Sequence, residues 1–177
     1  DTQNLAELFS LINNFKRPTI ARVNGAALGG GAGLIASCDY AIAIDTAQIG
    51  FTEVRLGLVP AVISPFVIAK IGESHARATF LSGVRFTVEK AIRIGLVHQV
   101  TSFDKIDEDL EALVKEFIQS ATVTGVITTK LIKEVVHKHT IEDARLFTCE
   151  TISKVRTSLE GQEGMCALLE KRKANWT

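Results

Sequence analysis

Neither sign of charge is in excess: 20 Lys and Arg stand against 20 Asp and Glu in 177 residues. A nucleic-acid-binding module would show a basic surplus, so no nucleic-acid partner is expected. Cysteine is scarce as well. Cys38, Cys149 and Cys166 are unevenly spaced and form no C-x-x-C pair, which argues against a disulfide framework and against a zinc site. Free thiols in a reducing compartment are the expectation. Long apolar runs are also missing. The least polar stretch, residues 25–38, is broken by glycines and is shorter than the ~20 residues that cross a bilayer, so no membrane span is expected. His75, His98, His137 and His139 are scattered. His137 and His139 stand two apart on a predicted helix, on different faces, and no metal site is expected. The chain opens at Asp1 without Met and without a signal-like apolar region. Residues 1–15 read as the body of a helix, so a further N-terminal portion is expected.

What is present is a 46% apolar composition, enough for one globular domain with a real core. Leu5, Leu8, Phe9, Ile12 and Phe15 recur at helical spacing, and Pro18 ends that helix. Residues 19–23 read as a short buried strand before the Asn24-Gly25 turn signal. A short helix is expected over 34–38, a strand over 40–44, an extended piece over 47–51 and a loop over 56–60. Helices follow over 61–71, stopped by Gly72, and over 73–81. Thr87 is placed to cap a helix reaching Ile94, with Gly95 at its stop, and residues 96–100 read as a strand. From there the pattern is helical: 106–121, 124–138, 141–158 and 162–173. Strands alternating with helices, then helices alone, predict an α/β core over 1–103 and a C-terminal helical region over 104–177.

The most informative segment is Gly29-Gly30-Gly31-Ala32-Gly33. Glycine lets a backbone approach a ligand closely, and a glycine turn that opens a helix presents free N–H groups and the positive end of the helix dipole. The phosphate-binding pattern G-x-x-x-x-G-K-[ST] is absent, and no acidic ribose partner follows at the spacing of a dinucleotide site. Two uses remain open: tight packing of a buried turn, or an N–H donor for a developing oxyanion. Glu53 follows in an apolar setting of Ile49, Phe51, Val54 and Leu56; it is either a surface residue after a strand or an acid–base group.

The run Val23-Asn24-Gly25-Ala26-Ala27-Leu28-Gly29-Gly30-Gly31-Ala32-Gly33-Leu34, closed by Cys38-Asp39, resembles the central motif of the crotonase (enoyl-CoA hydratase/isomerase) superfamily. The resemblance continues through Ala47-Gln48-Ile49-Gly50-Phe51-Thr52-Glu53, Leu56-Gly57-Leu58-Val59-Pro60 and residues 91–97. It ends in Glu163-Gly164-Met165 and Glu170-Lys171-Arg172-Lys173-Ala174-Asn175-Trp176. It implies the spiral ββα core of the ClpP/crotonase-like fold with a C-terminal helical extension, and an acyl thioester of coenzyme A as substrate. Coenzyme A is then part of the substrate, and no separate cofactor is implied. Gly30 matches an oxyanion N–H donor, and Glu53 matches one of two glutamates that move protons during hydration. Gly30, Gly31, Gly33, Pro60 and Lys171 are the positions expected to contact substrate. The second oxyanion N–H is expected from a segment upstream of these residues.

Two departures qualify this. Gly33 stands where the family places its other glutamate, so the two-carboxylate hydration scheme lacks one acid. Pro60-Ala61-Val62-Ile63-Ser64-Pro65-Phe66 replaces a glycine-rich run. Together with Glu53-Val54-Arg55-Leu56-Gly57-Leu58, these resemble the methylglutaconyl-CoA hydratase branch of leucine or isoprenoid catabolism, whose branched substrates carry a distal carboxylate. A hydratase is therefore implied. A one-glutamate isomerase or decarboxylase, and a CoA-binding homologue without hydratase activity, are the alternatives. Arg55 reads as a surface or interface residue that could pair with such a carboxylate, and Ser64 as a helix residue with no nucleophile's partner. Lys171 suits either a phosphate contact or a solvated basic tail. The resemblance implies a homotrimer or homohexamer in cytoplasm or mitochondrial matrix.

Overall fold

Tyr40–Ile44 shows why the core forms where it does. This strand, β3, is apolar on consecutive rather than alternate residues, and four of its five are buried. Such runs belong to parallel sheets covered on both faces. In a computed structural model that describes all residues except 121, 139 and 177, β3 lies between two parallel neighbours. β1 (Ile20–Val23) pairs with it in the register Ile20↔Tyr40. β6 (Gln99–Thr101) pairs on the other side in the register Ile42↔Gln99. A second sheet is built from shorter pieces. β2 (Ala27–Leu28) runs parallel to β4 (Gln48–Gly50), and β5 (Phe86–Thr87) is antiparallel to β4.

Helices α1 (Thr2–Asn13), α2 (Gly30–Ser37), α3 (Ser64–Phe80) and α4 (Val88–Arg93) pack with these sheets. Phe9, Ile42, Ile49, Phe51, Val67, Val88, Leu96 and Ile106 form a fully buried core. Burial of each such side chain contributes about 1.5–3 kcal/mol. Then come α5 (Ile106–Ile118), α6 (Thr122–Val136), α7 (Ile141–Arg156) and α8 (Leu159–Leu169). The chain forms two compact units, Asp1–Leu113 and Val114–Thr177, and the division falls within α5.

Several local expectations change. The helix expected from 34 begins at Gly30, because the glycine run itself forms its first turn. Gly72 interrupts α3 with φ 75° and ψ 162°, a conformation that ends one helical segment and starts the next. The strand expected over 96–100 forms over Gln99–Thr101, since Leu96 and Val97 instead turn back to donate their N–H groups to Ala91 O. Thr87 precedes α4, but its side chain makes no capping bond there. The expected end of α5 at residue 121 lies outside the described residues, as does His139.

Candidate active site

Gly29 is held by its backbone. Its φ of 54° and ψ of −118° lie in a region that favours glycine, and its N–H donates to Gly50 O at 2.8 Å. That bond continues the β2–β4 pairing, in which Leu28 faces Gly50. It therefore brings the start of α2 beside the end of β4, from which Phe51 and Thr52 lead to Glu53. A Cβ placed on Gly29 would sit 3.3 Å from Glu53 Oε1. The carboxylate thus lies against the first turn of α2.

Glu53 opens a short 3-10 turn, Glu53–Leu56, closed by Gly57 at φ 73°. Its backbone oxygen accepts from Leu58 N–H at 3.1 Å. Its Oε2 is buried and has no hydrogen-bond partner among the described residues. A buried carboxylate oxygen without a donor is costly, and a substrate or water proton placed there would relieve that cost.

Across the turn, helix geometry leaves the N–H groups of Gly30, Gly31 and Ala32 without an intrahelical acceptor, the first such bond being Gly33 N–H to Gly29 O at 3.1 Å. Gly30 is exposed, and a Cβ on it would meet nothing within 4 Å. A Cβ on Gly31 would only touch Ala27 Cβ, at 3.8 Å. Neither packing nor a positive φ demands glycine at Gly30 or Gly31, so the backbone there is open to close approach by something else.

The far end of α2 is held by charge. Lys70 Nζ donates to Cys38 O and, at 3.4 Å, to Ile35 O, placing a cation at the negative end of the helix dipole. Burial pushes the Lys70 ammonium below its ordinary value and the Cys38 thiol above its own. Asp39 then ties the turn to the start of β1, accepting from Thr19 N–H and Thr19 Oγ1 at 2.8 Å each. Nothing local in the sequence marks Lys70 for this task; its stretch reads only as an apolar helix.

The other anticipated positions fall as follows. Gly33 is buried, and a Cβ there would lie 2.3 Å from Ile63 Cγ2 and 3.3 Å from Phe9 Cε1. Pro60 is buried beyond an exposed loop. Arg55 is exposed, its Nε 3.5 Å from Ser82 O. Ser64 begins α3, its hydroxyl donating to Ala61 O at 2.8 Å. His98 stacks on Tyr40 with ring centroids 4.7 Å apart, and its Nδ1 accepts from Ala41 N–H. Burial and the Lys70 charge push its imidazole below the ordinary value.

Lys171 belongs to the second unit. It follows α8 with φ 55°, in the left-handed position that closes the helix. Beside it, Arg172 donates to both carboxylate oxygens of Glu163, at 2.6 and 2.9 Å, and Asn175 N–H donates to Glu163 at 2.7 Å. These donors hold the Glu163 carboxyl down to about 2. Among the described residues, no group of three or more His, Cys, Asp or Glu could hold a metal, and no helix is long and apolar enough to cross a membrane.

Residues 2–177 match the family described as enoyl-CoA hydratase/isomerase. The chain is 32% identical over 174 residues to a crotonyl-CoA hydratase of Syntrophomonas wolfei, covering 96% of this chain and 65% of that protein. It superposes with a TM-score of 0.93 on the crystal structure of an enoyl-CoA hydratase from Shewanella pealeana, at 35% identity, over 99% of this chain and 66% of that one. An enoyl-CoA hydratase/isomerase from Marinobacter aquaeolei superposes at 0.91, with 31% identity and coverage of 99% and 66%. The chain thus spans just under two thirds of the length of these relatives.

Proposed function

Because the chain belongs to the enoyl-CoA hydratase/isomerase family, we propose that the full protein binds an acyl-CoA thioester and stabilises its enolate. Gly30 N–H points at the thioester oxygen, and Glu53 moves the proton at Cα. The observation that carries this reading is the pairing across Gly29: an exposed Gly30 whose glycine no packing requires, and a buried Glu53 Oε2 with no donor.

As negative charge grows on the thioester oxygen, the N–H groups at the start of α2 strengthen their hold on it. A donor of this kind is worth roughly 10²–10³ in rate, and a second is expected from outside these residues. In the hydration direction, Glu53 gives its proton to Cα as water oxygen bonds to Cβ, and the resulting Glu53 carboxylate takes up the proton that this water releases. The substrate we favour is a branched enoyl-CoA of the methylglutaconyl type. A second reading is supported by Gly33, which brings no acid: Glu53 alone takes a proton from Cγ and returns it to Cα, shifting the double bond without water. Decarboxylation of an acyl-CoA likewise needs only one proton donor for the enolate. Lys171 is our candidate for the phosphate groups at the nucleotide end of coenzyme A. A homotrimer or homohexamer fits the exposed apolar side chains of the second unit, such as Ile141, Leu159 and Leu169.

The test is turnover of methylglutaconyl-CoA and crotonyl-CoA by the full-length protein, compared with Glu53→Gln. Water addition that falls roughly 10²–10⁴-fold in the variant is the expected result. Unchanged turnover in Glu53→Gln would overturn the assignment. Double-bond migration with no water incorporated would select the second reading, and binding of both thioesters with no turnover would leave a CoA-binding homologue.

A further inference from the structure

Glycine at position 33 is required by a neighbour. A Cβ there would lie 2.3 Å from Ile63 Cγ2 and 2.9 Å from Ile63 Cβ, far inside van der Waals contact. Ile63 cannot swing aside freely. It is 3% exposed, its branched side chain is stiff at χ1, and its carbonyl accepts Val67 N–H at 3.0 Å as α3 begins. Phe9 closes the same space from α1 and is fully buried. Gly33 N–H donates to Gly29 O, so Gly29, the residue that precedes α2, sits one turn from Gly33. Gly29 is backed by the Glu53 carboxylate, Gly33 by hydrocarbon.

We propose that Ile63 is a specificity-determining residue. Its side chain fills the volume that any side chain at position 33 would need, and so holds the site to one protein carboxylate, Glu53. The nearest atoms to a Cβ at Gly33 are hydrocarbon atoms of Ile63 and Phe9. The substrates favoured are those that need one protein acid–base group or carry the second polar group themselves. The chemical half of this proposal rests on Glu53 acting as reasoned above, whereas the packing half stands without it.

Melting temperatures and crotonyl-CoA hydration of the full-length protein test both halves. Gly33→Glu and Ile63→Gly are each expected to lower Tm by several degrees, the first by overpacking and the second by a cavity. The double variant should recover at least half of the summed loss. Ile63→Ala should rescue less, because it retains the Cβ at 2.9 Å. Hydration should rise at least about tenfold in the double variant over either single one. Should the double variant not fold, Gly33→Ala combined with Ile63→Gly carries the same coupling measurement.

Additive losses of Tm would overturn the interlock. Hydration gained by Gly33→Glu alone, or coupled Tm values with no gain in hydration, would overturn Ile63 as a determinant of the chemistry. A double variant whose hydration survives Glu53→Gln would sink the role of Glu53 while leaving the Tm coupling intact.

Discussion

The two units of this chain satisfy their apolar residues in opposite ways. Asp1–Leu113 encloses Ile42, Ile49, Phe51 and Leu96 with no exposed surface or almost none. In Val114–Thr177, Ala167 is the one buried residue among those described, while Ile141, Leu159 and Leu169 are 90%, 92% and 82% exposed. The first unit is held by packing between sheets and helices. The second is held at its joints by polar contacts: the Thr140–Asp143 capping box on α7, Glu160 accepting from the N–H groups of Val123 and Thr124, and Arg172 gripping Glu163. The carboxylate we propose as the acid–base group lies in the unit with the core. A carboxylate held against one turn of a helix must be positioned within tenths of an ångström, and dense packing supplies that.

The sharpest way to break this comparison is to cut a core side chain. Phe51 is fully buried, edge-on to Phe80 with centroids 5.0 Å apart, and it lies two residues before Glu53. Phe51→Ala is expected to cost about 3–5 kcal/mol in denaturant unfolding of the full-length protein. A cost below about 1 kcal/mol would mean that the core of the first unit does not set its stability.

A smaller effect is expected at a joint of the second unit. A Cβ on Gly161 would come within 2.1 Å of Val155 O, a backbone atom that cannot rotate away. Gly161→Ala should therefore force α7 and α8 apart at their junction and cost about 1–3 kcal/mol, read in the same unfolding experiment. A neutral outcome would show that this junction adjusts freely.

The smallest effect concerns pH. Glu163 is held down to about 2 from an ordinary 4.5 by Arg172 and Asn175 N–H. A carboxyl whose folded value is depressed stabilises the fold fully above its unfolded value and loses that contribution as pH falls through the folded one. The C-terminal segment should therefore stay docked at neutral pH and loosen between about pH 4.5 and 2. Trp176, the sole tryptophan, donates its Nε1–H to Gln119 O, so its fluorescence should shift to the red across that window. A shift that also occurs in Glu163→Gln at neutral pH would support the assignment; no change on acidification would refute it.

Much of this was legible from the chain itself. The glycine run, Glu53 and the long C-terminal helices declare themselves through motif and periodicity, and β3 over Tyr40–Ile44 follows from its unbroken apolar run. β2 and β5 were not legible, because two residues carry no period and gain their partners only once β4 lies between them. Lys70 and Ile63 were missed for a related reason: each acts on α2 from a distant part of the chain.

By itself the sequence determined the class of architecture and the family. These rest on patterns spanning a few neighbouring residues, where local backbone chemistry is decisive. Only the tertiary structure decided that Gly33 is a packing position, that Ile63 fills the place of a side chain there, and that Lys70 anchors the far end of α2. Whether a Cβ has room is a property of atoms brought together by the whole fold, and no local pattern records it.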